Sequence, residues 1–111
     1  MVRKREFSRG NVDLLINNAG VIRDRSILKM TREEWDKVQS VNIDSLFITT
    51  KSVLPHMKAA NYGRIISASS VNAFQGAFGQ TNYSASKAAF VGFSHSLCAY
   101  LSTKFVFCDL S

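Results

Sequence analysis

Two short apolar runs, V-D-L-L-I-N at 12–17 and R-I-I-S-A-S at 64–69, are each followed by a loop and then by a long stretch with helical spacing. This alternation constrains the fold more than any other feature of the 111 residues. Strands buried on both faces read as continuous apolar runs rather than as alternating ones. A connection long enough to hold a helix joins two strands in parallel through a right-handed crossover. The expected class is therefore α/β, a parallel sheet covered by helices on both faces.

Local signals place the boundaries. N-N-A-G at 17–20 ends the first run, with Gly20 marking a tight turn. Thr31-Arg32-Glu33-Glu34 has capping-box spacing, so a helix is expected from Thr31, with Glu34 reaching back to the cap. That helix carries Trp35, Val38, Val41, Ile43, Leu46, Phe47 and Val53 towards Ala60; Pro55 should kink it and Gly63 should close it at C′. The loop 70–80 contains Gly76 and Gly79. A second long helix is expected from Thr81 to Thr103, with the small residues Ala85, Ser86, Ala88, Ala89 and Gly92 along it, and Phe105 to Cys108 could begin a third strand.

The chain is 46% hydrophobic with one proline, a globular composition of a size for one domain over 1–111. Its net charge is +6, half of it from residues 1–10, where Arg3, Lys4, Arg5 and Arg9 face Glu6. That basic terminus is expected to fray or, as the lesser alternative, to meet an anionic partner. The remaining charges alternate in sign along helix surface, which argues against nucleic acid as a partner. The apolar run Leu14-Leu15-Ile16 is far too short for a signal peptide or a membrane span, so a cytoplasmic location with no membrane partner is expected. Cys98 and Cys108 lack metal-like spacing and are expected to be reduced and buried. His56 and His95 have no partner at metal-ligand spacing, so no metal site is expected.

The chemistry gathers at Y-S-A-S-K, Tyr83 to Lys87. At i, i+4 the two side chains share one helix face. A phenol has a pKa near 10, so it transfers protons at neutral pH only where a nearby cation favours its anion, and Lys87 is such a cation. Ser70 could donate a hydrogen bond to the same carbonyl oxygen without losing its own proton. In a parallel sheet, ligands bind beyond the carboxyl ends of the strands, which is where Asn17–Gly20 and Ser69-Ser70 fall. A hydride would have to come from a nicotinamide, because no protein side chain supplies one. Taken singly, each residue has a plainer reading. Asn42 could be a helix-surface or kink residue, Ser70 a capping serine, Tyr83 a half-buried aromatic, Lys87 a solvated lysine, and Asn17–Gly20 turn chemistry alone.

In order and spacing, N-N-A-G at 17–20, Asn42 after Val41, Ser70 thirteen residues before Tyr83, and Tyr83-x-x-x-Lys87 resemble the short-chain dehydrogenase/reductase family. R-D-R-S-I-L-K-M-T-R-E-E-W and F-G-Q-T-N-Y-S-A-S-K are most similar to its β-ketoacyl reductases, and F-G-Q-T-N-Y-S to acetoacetyl-CoA reductases. The resemblance implies a Rossmann-like, three-layer, doubly wound parallel sheet. It also implies NADP- or NAD-dependent reduction of a 3-oxoacyl thioester to the 3-hydroxyacyl form. Tyr83 would be the general acid and Ser70 would hold the carbonyl oxygen. Lys87 would tune Tyr83 and bond the nicotinamide ribose, and Asn42 would anchor a proton-relay water. Asn18, Ala19 and Gly20 would line the cofactor crevice with Asn17 bracing the sheet, while Phe78 and Gln80 would contact substrate. The two long helices would build a homo-oligomer interface.

The resemblance covers only the middle of that family's fold. No Gly-x-x-x-Gly-x-Gly turn occurs in the chain, and F-V-F-C-D-L-S at 105–111 departs from the family pattern, as do residues 1–10. A truncated central fragment is expected, inactive in isolation because little holds the cofactor pyrophosphate. The alternative to a reductase by descent is a non-catalytic remnant that associates with intact reductase subunits.

Overall fold

The computed structural model describes residues 12–18 and 20–101, and the backbone of 106–110. Residues 1–10, where a frayed basic terminus is expected, and Ala19 lie outside the described residues. The elements run β1 (Leu14–Asn17), α1 (Arg32–Gln39), a π-helical turn (Ser40–Asp44), α2 (Ser45–Ala60), β2 (Gly63–Ser67), α3 (Asn72–Gln75), α4 (Thr81–Leu101) and β3 (Val106–Leu110). The three strands form one parallel sheet in the order β1-β2-β3. Leu14 pairs with Arg64 and Asn17 with Ser67, so the carboxyl ends of β1 and β2 lie side by side as the alternation of runs and helices predicts.

Leu15 of β1 and Ile65 of β2 point to the same face, where they meet Val53 and Met57 of α2 and Leu101 of α4, with Val12 closing the cluster. Both long helices therefore pack on one face of the sheet. On the other face Leu14 and Ile16 are each 47% exposed and Ile66 is half-buried. Within the described residues the doubly wound class thus shows as two layers. Burial of this kind is worth roughly 1.5–3 kcal/mol per large aliphatic side chain, which makes the Leu15–Ile65–Met57 contact the mechanical base of the site above it.

The first long helix departs from its expected form in two ways. Thr31 does cap it with a full capping box: its hydroxyl accepts the Glu34 amide while the Glu34 carboxylate accepts the Thr31 amide. The irregularity, however, is the π-helical turn at 40–44, and α2 runs on through Pro55. The buried positions Val38, Asn42, Leu46 and Thr50 step by four residues each. A regular helix of 3.6 residues per turn would carry that run steadily round its axis, and the wider turn returns Leu46 to the inner face. At the far end Asn61, with φ 56°, takes the left-handed cap position expected of Gly63. Asparagine tolerates that conformation. Gly63 instead starts β2 against Met57; a Cβ there would lie 2.4 Å from the Met57 Sδ.

Gly76 and Gly79 both take positive φ in the loop before α4, where a short helix, α3, breaks up the expected irregular segment. Cys98, half-buried on α4, is disulfide-bonded, which overturns the expectation that it is reduced. Among the described residues no helix is long and apolar enough to cross a membrane, and no group of three His, Cys, Asp or Glu could hold a metal ion.

Candidate active site

The sheet presents the carboxyl ends of β1 and β2 to the first turns of α4, and the site residues meet there. Lys87 is 4% exposed, and its ammonium donates to the Ala68 carbonyl at 3.0 Å, just past the end of β2. Ser69 Oγ donates in turn to the Lys87 carbonyl at 2.9 Å. The two bonds clamp the loop carrying Ser70 to the helix carrying Tyr83. The Lys87 ammonium also lies 4.2 Å from the centroid of the Phe90 ring, a cation–π contact that partly replaces lost water. Burial holds its pKa below the usual lysine value of 10.5.

Asn42 is fully buried, and all its side-chain hydrogen-bonding groups are engaged. Its Oδ1 accepts the Val21 amide at 2.8 Å, and its Nδ2 donates to the Val21 carbonyl at 3.3 Å and to Ser86 Oγ at 3.0 Å. Ser86 Oγ donates to the Tyr83 carbonyl at 2.7 Å. A chain of polar contacts therefore links the segment after β1, the π-helical turn and the turn of α4 that bears Tyr83.

Gly20 completes this corner. A Cβ on it would lie 3.4 Å from the Lys87 Nζ and 3.8 Å from the Asn42 Oδ1, so glycine keeps open the space beside the ammonium. Asn17 braces β1 to α2: Thr49 Oγ1 donates to its Oδ1 at 2.8 Å, and its Nδ2 donates to Thr50 Oγ1 at 3.3 Å. Asn18 is exposed at the crevice end of β1.

The loop residues behave differently from one another. Ser70 is half-buried, and its Oγ accepts the Asn72 amide at 3.3 Å, which leaves its own hydrogen free to donate outward. Gln80 accepts from Asn72 Nδ2 at 2.9 Å and donates to Asp24 at 3.2 Å, stitching the two loops together. Phe78 is 93% exposed and is not drawn into the corner. Tyr83, half-buried, sits one helical turn before Lys87.

Sequence reasoning passed over Asn82, Ser86, Gln39 and Asn72. Asn82 and Ser86 are fully buried with Phe90 and Ser94 on one stripe of α4. Polar residues on an otherwise core-facing stripe, at steps of four, were the signal that could have found them.

The buried Lys87, one turn after Tyr83, thus lies beside the carboxyl ends of a parallel sheet, the place where open α/β sheets bind ligands. The sequence matches the family described as short chain dehydrogenase over residues 1–108, and the chain belongs to that family. It is 50% identical over 104 residues to nodulation protein G of Azospirillum brasilense, covering 94% of this chain and 42% of that one. It is 50% identical over 95 residues to an acetoacetyl-CoA reductase of Cupriavidus necator, covering 86% of this chain and 39% of that one. A 3-oxoacyl-(acyl-carrier-protein) reductase of Buchnera aphidicola is 47% identical, again over 86% of this chain and 39% of its own length. The chain spans about two fifths of the length of these curated relatives.

Proposed function

We propose that the chain carries the proton-transfer half of a nicotinamide-dependent reductase acting on a 3-oxoacyl thioester of the acetoacetyl-CoA kind. The observation that carries this reading is the buried Lys87 ammonium, fixed on the Ala68 carbonyl one helical turn from Tyr83. Structural lysines are rarely buried so completely, and a cation spaced i, i+4 from a tyrosine is what proton transfer from that phenol calls for. The names of the relatives, acetoacetyl-CoA reductase and 3-oxoacyl reductase, support the substrate class.

In this reading Tyr83 gives its proton to the substrate carbonyl oxygen, and Ser70 donates a hydrogen bond to the same oxygen. Lys87 stabilises the phenolate left behind. Protonation of the oxygen and hydride addition to the carbon together turn the ketone into a secondary alcohol. NADPH or NADH, when bound, supplies the hydride. The residues present fit the nicotinamide-ribose end of such a cofactor, because Gly20 leaves room beside the Lys87 ammonium, which bonds Ala68 through one of its three hydrogens. The pyrophosphate end has no Gly-rich turn in the sequence to receive it.

The test is a comparison of two proteins. In one, this chain replaces the matching segment of the Cupriavidus necator reductase; the other is the 111-residue chain alone. The chimera should oxidise NADPH with acetoacetyl-CoA, and the chain alone should not, since positional catalysis needs an anchored cofactor. An inert chimera that is folded and binds NADPH would overturn the reading.

A second reading, association with intact reductase subunits, has an observation of its own. The outer faces of α2 and α4 enclose an open groove of about 450 Å³ lined by Lys51, Leu54, Pro55, Lys58 and Tyr100, and Phe47 and Ile48 are exposed on the same helix as its lysines. Homo-oligomerisation through the two long helices would cover this surface, and sedimentation of the chain mixed with an intact relative reads it out.

A further inference from the structure

We propose that Asn82, the residue before Tyr83, is a positioning residue that sets where the Tyr83 phenol stands; the inference rests on Tyr83 being the acid. Tyr83 lies in the first turn of α4, where the amide has no intrahelical acceptor, the ladder beginning with the Ser84 amide on the Gln80 carbonyl. Asn82 Oδ1 takes that amide at 2.8 Å. The same side chain is fully buried and donates through Nδ2 to the Arg23 carbonyl at 2.9 Å, with a weaker contact to the Glu34 carbonyl at 3.5 Å. It thereby ties the Tyr83 backbone to the segment after β1 and to α1. Gln39 holds the other end of the residue, donating to the Asn82 carbonyl at 3.0 Å.

The Tyr83 carbonyl is held as well, by Ser86 Oγ, which Asn42 engages in turn. Its backbone is thus bracketed at both N–H and C=O by side chains anchored outside α4. An asparagine is the residue that can serve at 82, because the site needs a donor and an acceptor on one short, planar group. Leucine offers neither, and ionised aspartate offers only the acceptor. A shift of about 1 Å in a catalytic group can cost on the order of 10²-fold in rate, so a bracket of this kind is where rate would be protected.

The experiment reads position rather than turnover, so it stands apart from the reductase reading. The chain is labelled with ring-¹³C tyrosine, and the signals of Tyr62, Tyr83 and Tyr100 are compared in wild type, Asn82→Ala and Gln39→Met. Gln39→Met keeps the size of the side chain and removes only the donor to Asn82. The expected result is a shifted or split Tyr83 signal, with Tyr62 and Tyr100 unmoved, in Gln39→Met and in Asn82→Ala where that variant folds. An unmoved Tyr83 signal in folded Gln39→Met would overturn the proposal. So would a common shift of all three tyrosines in both variants, which is the mark of a residue that only maintains the fold.

Discussion

The Lys87 ammonium stands 3.0 Å from the Ala68 carbonyl, a contact between the first half of α4 and the residue just past β2 that buries a cation at the end of a parallel sheet. Burying the charge costs stability, and the sign of the pH effect follows. The folded-state pKa of Lys87 lies below its unfolded value near 10.5, so between the two the unfolded chain binds more protons and stability rises with pH. The penalty is fully present below the lowered pKa and is relieved as pH climbs through it towards 10.5. Lys87→Met should lack this gain, and urea unfolding from pH 7 to 10.5 should show a flatter profile than wild type. Parallel profiles would contradict it.

Asn42→Ala removes the group that satisfies both the amide and the carbonyl of Val21 in a fully buried position. Leaving one such group unpaired costs about 1–3 kcal/mol. Urea denaturation should show a loss at least that large, and a loss below 0.5 kcal/mol, the roughly neutral range of surface changes, would mean the contacts are not made.

Thr31→Ala should cost about 1 kcal/mol by deleting the cap of α1. Glu34 adds a pH signature: the Arg25 side chain, 3.1 Å away, holds its carboxyl below the usual 4.5, so its contribution is present above that value and is lost as pH falls through the lowered one. Because the pair is exposed, salt should screen it. Thermal unfolding at two salt concentrations checks both statements.

Gly63→Ala should destabilise by about 1–3 kcal/mol through collision with Met57, whose Sδ and Cγ would lie 2.4 and 2.5 Å from the new Cβ. Adding Met57→Ala should cost less in that background than in wild type. A double-mutant cycle with no coupling would place the two residues apart.

Much of this geometry is written locally. The capping box at Thr31 and Glu34 and the apolar runs at 12–17 and 64–69 depend on near neighbours; the box is found where the sequence puts it, and the runs give strands at 14–17 and 63–67. What escapes a sequence reading depends on contacts across the fold. Gly63 has the look of a helix stop, yet its lack of a Cβ serves Met57 packing while Asn61 makes the stop. The π-helical turn is invisible because the groups that hold Asn42 inward, Val21 and Ser86, are 21 and 44 residues away from it in the sequence. Asn82 has no motif of its own, and its partners at Arg23 and Glu34 are 59 and 48 residues away.

The central claim is that Tyr83 is the acid, and the direct measurement is NADPH oxidation with acetoacetyl-CoA by the chimera carrying Tyr83→Phe. The account predicts a fall of roughly 10²–10⁴-fold in kcat with NADPH affinity nearly unchanged, because the phenol acts on the reacting oxygen and not on ground-state cofactor binding. A Tyr83→Phe chimera that turns over within a fewfold of its parent would contradict it.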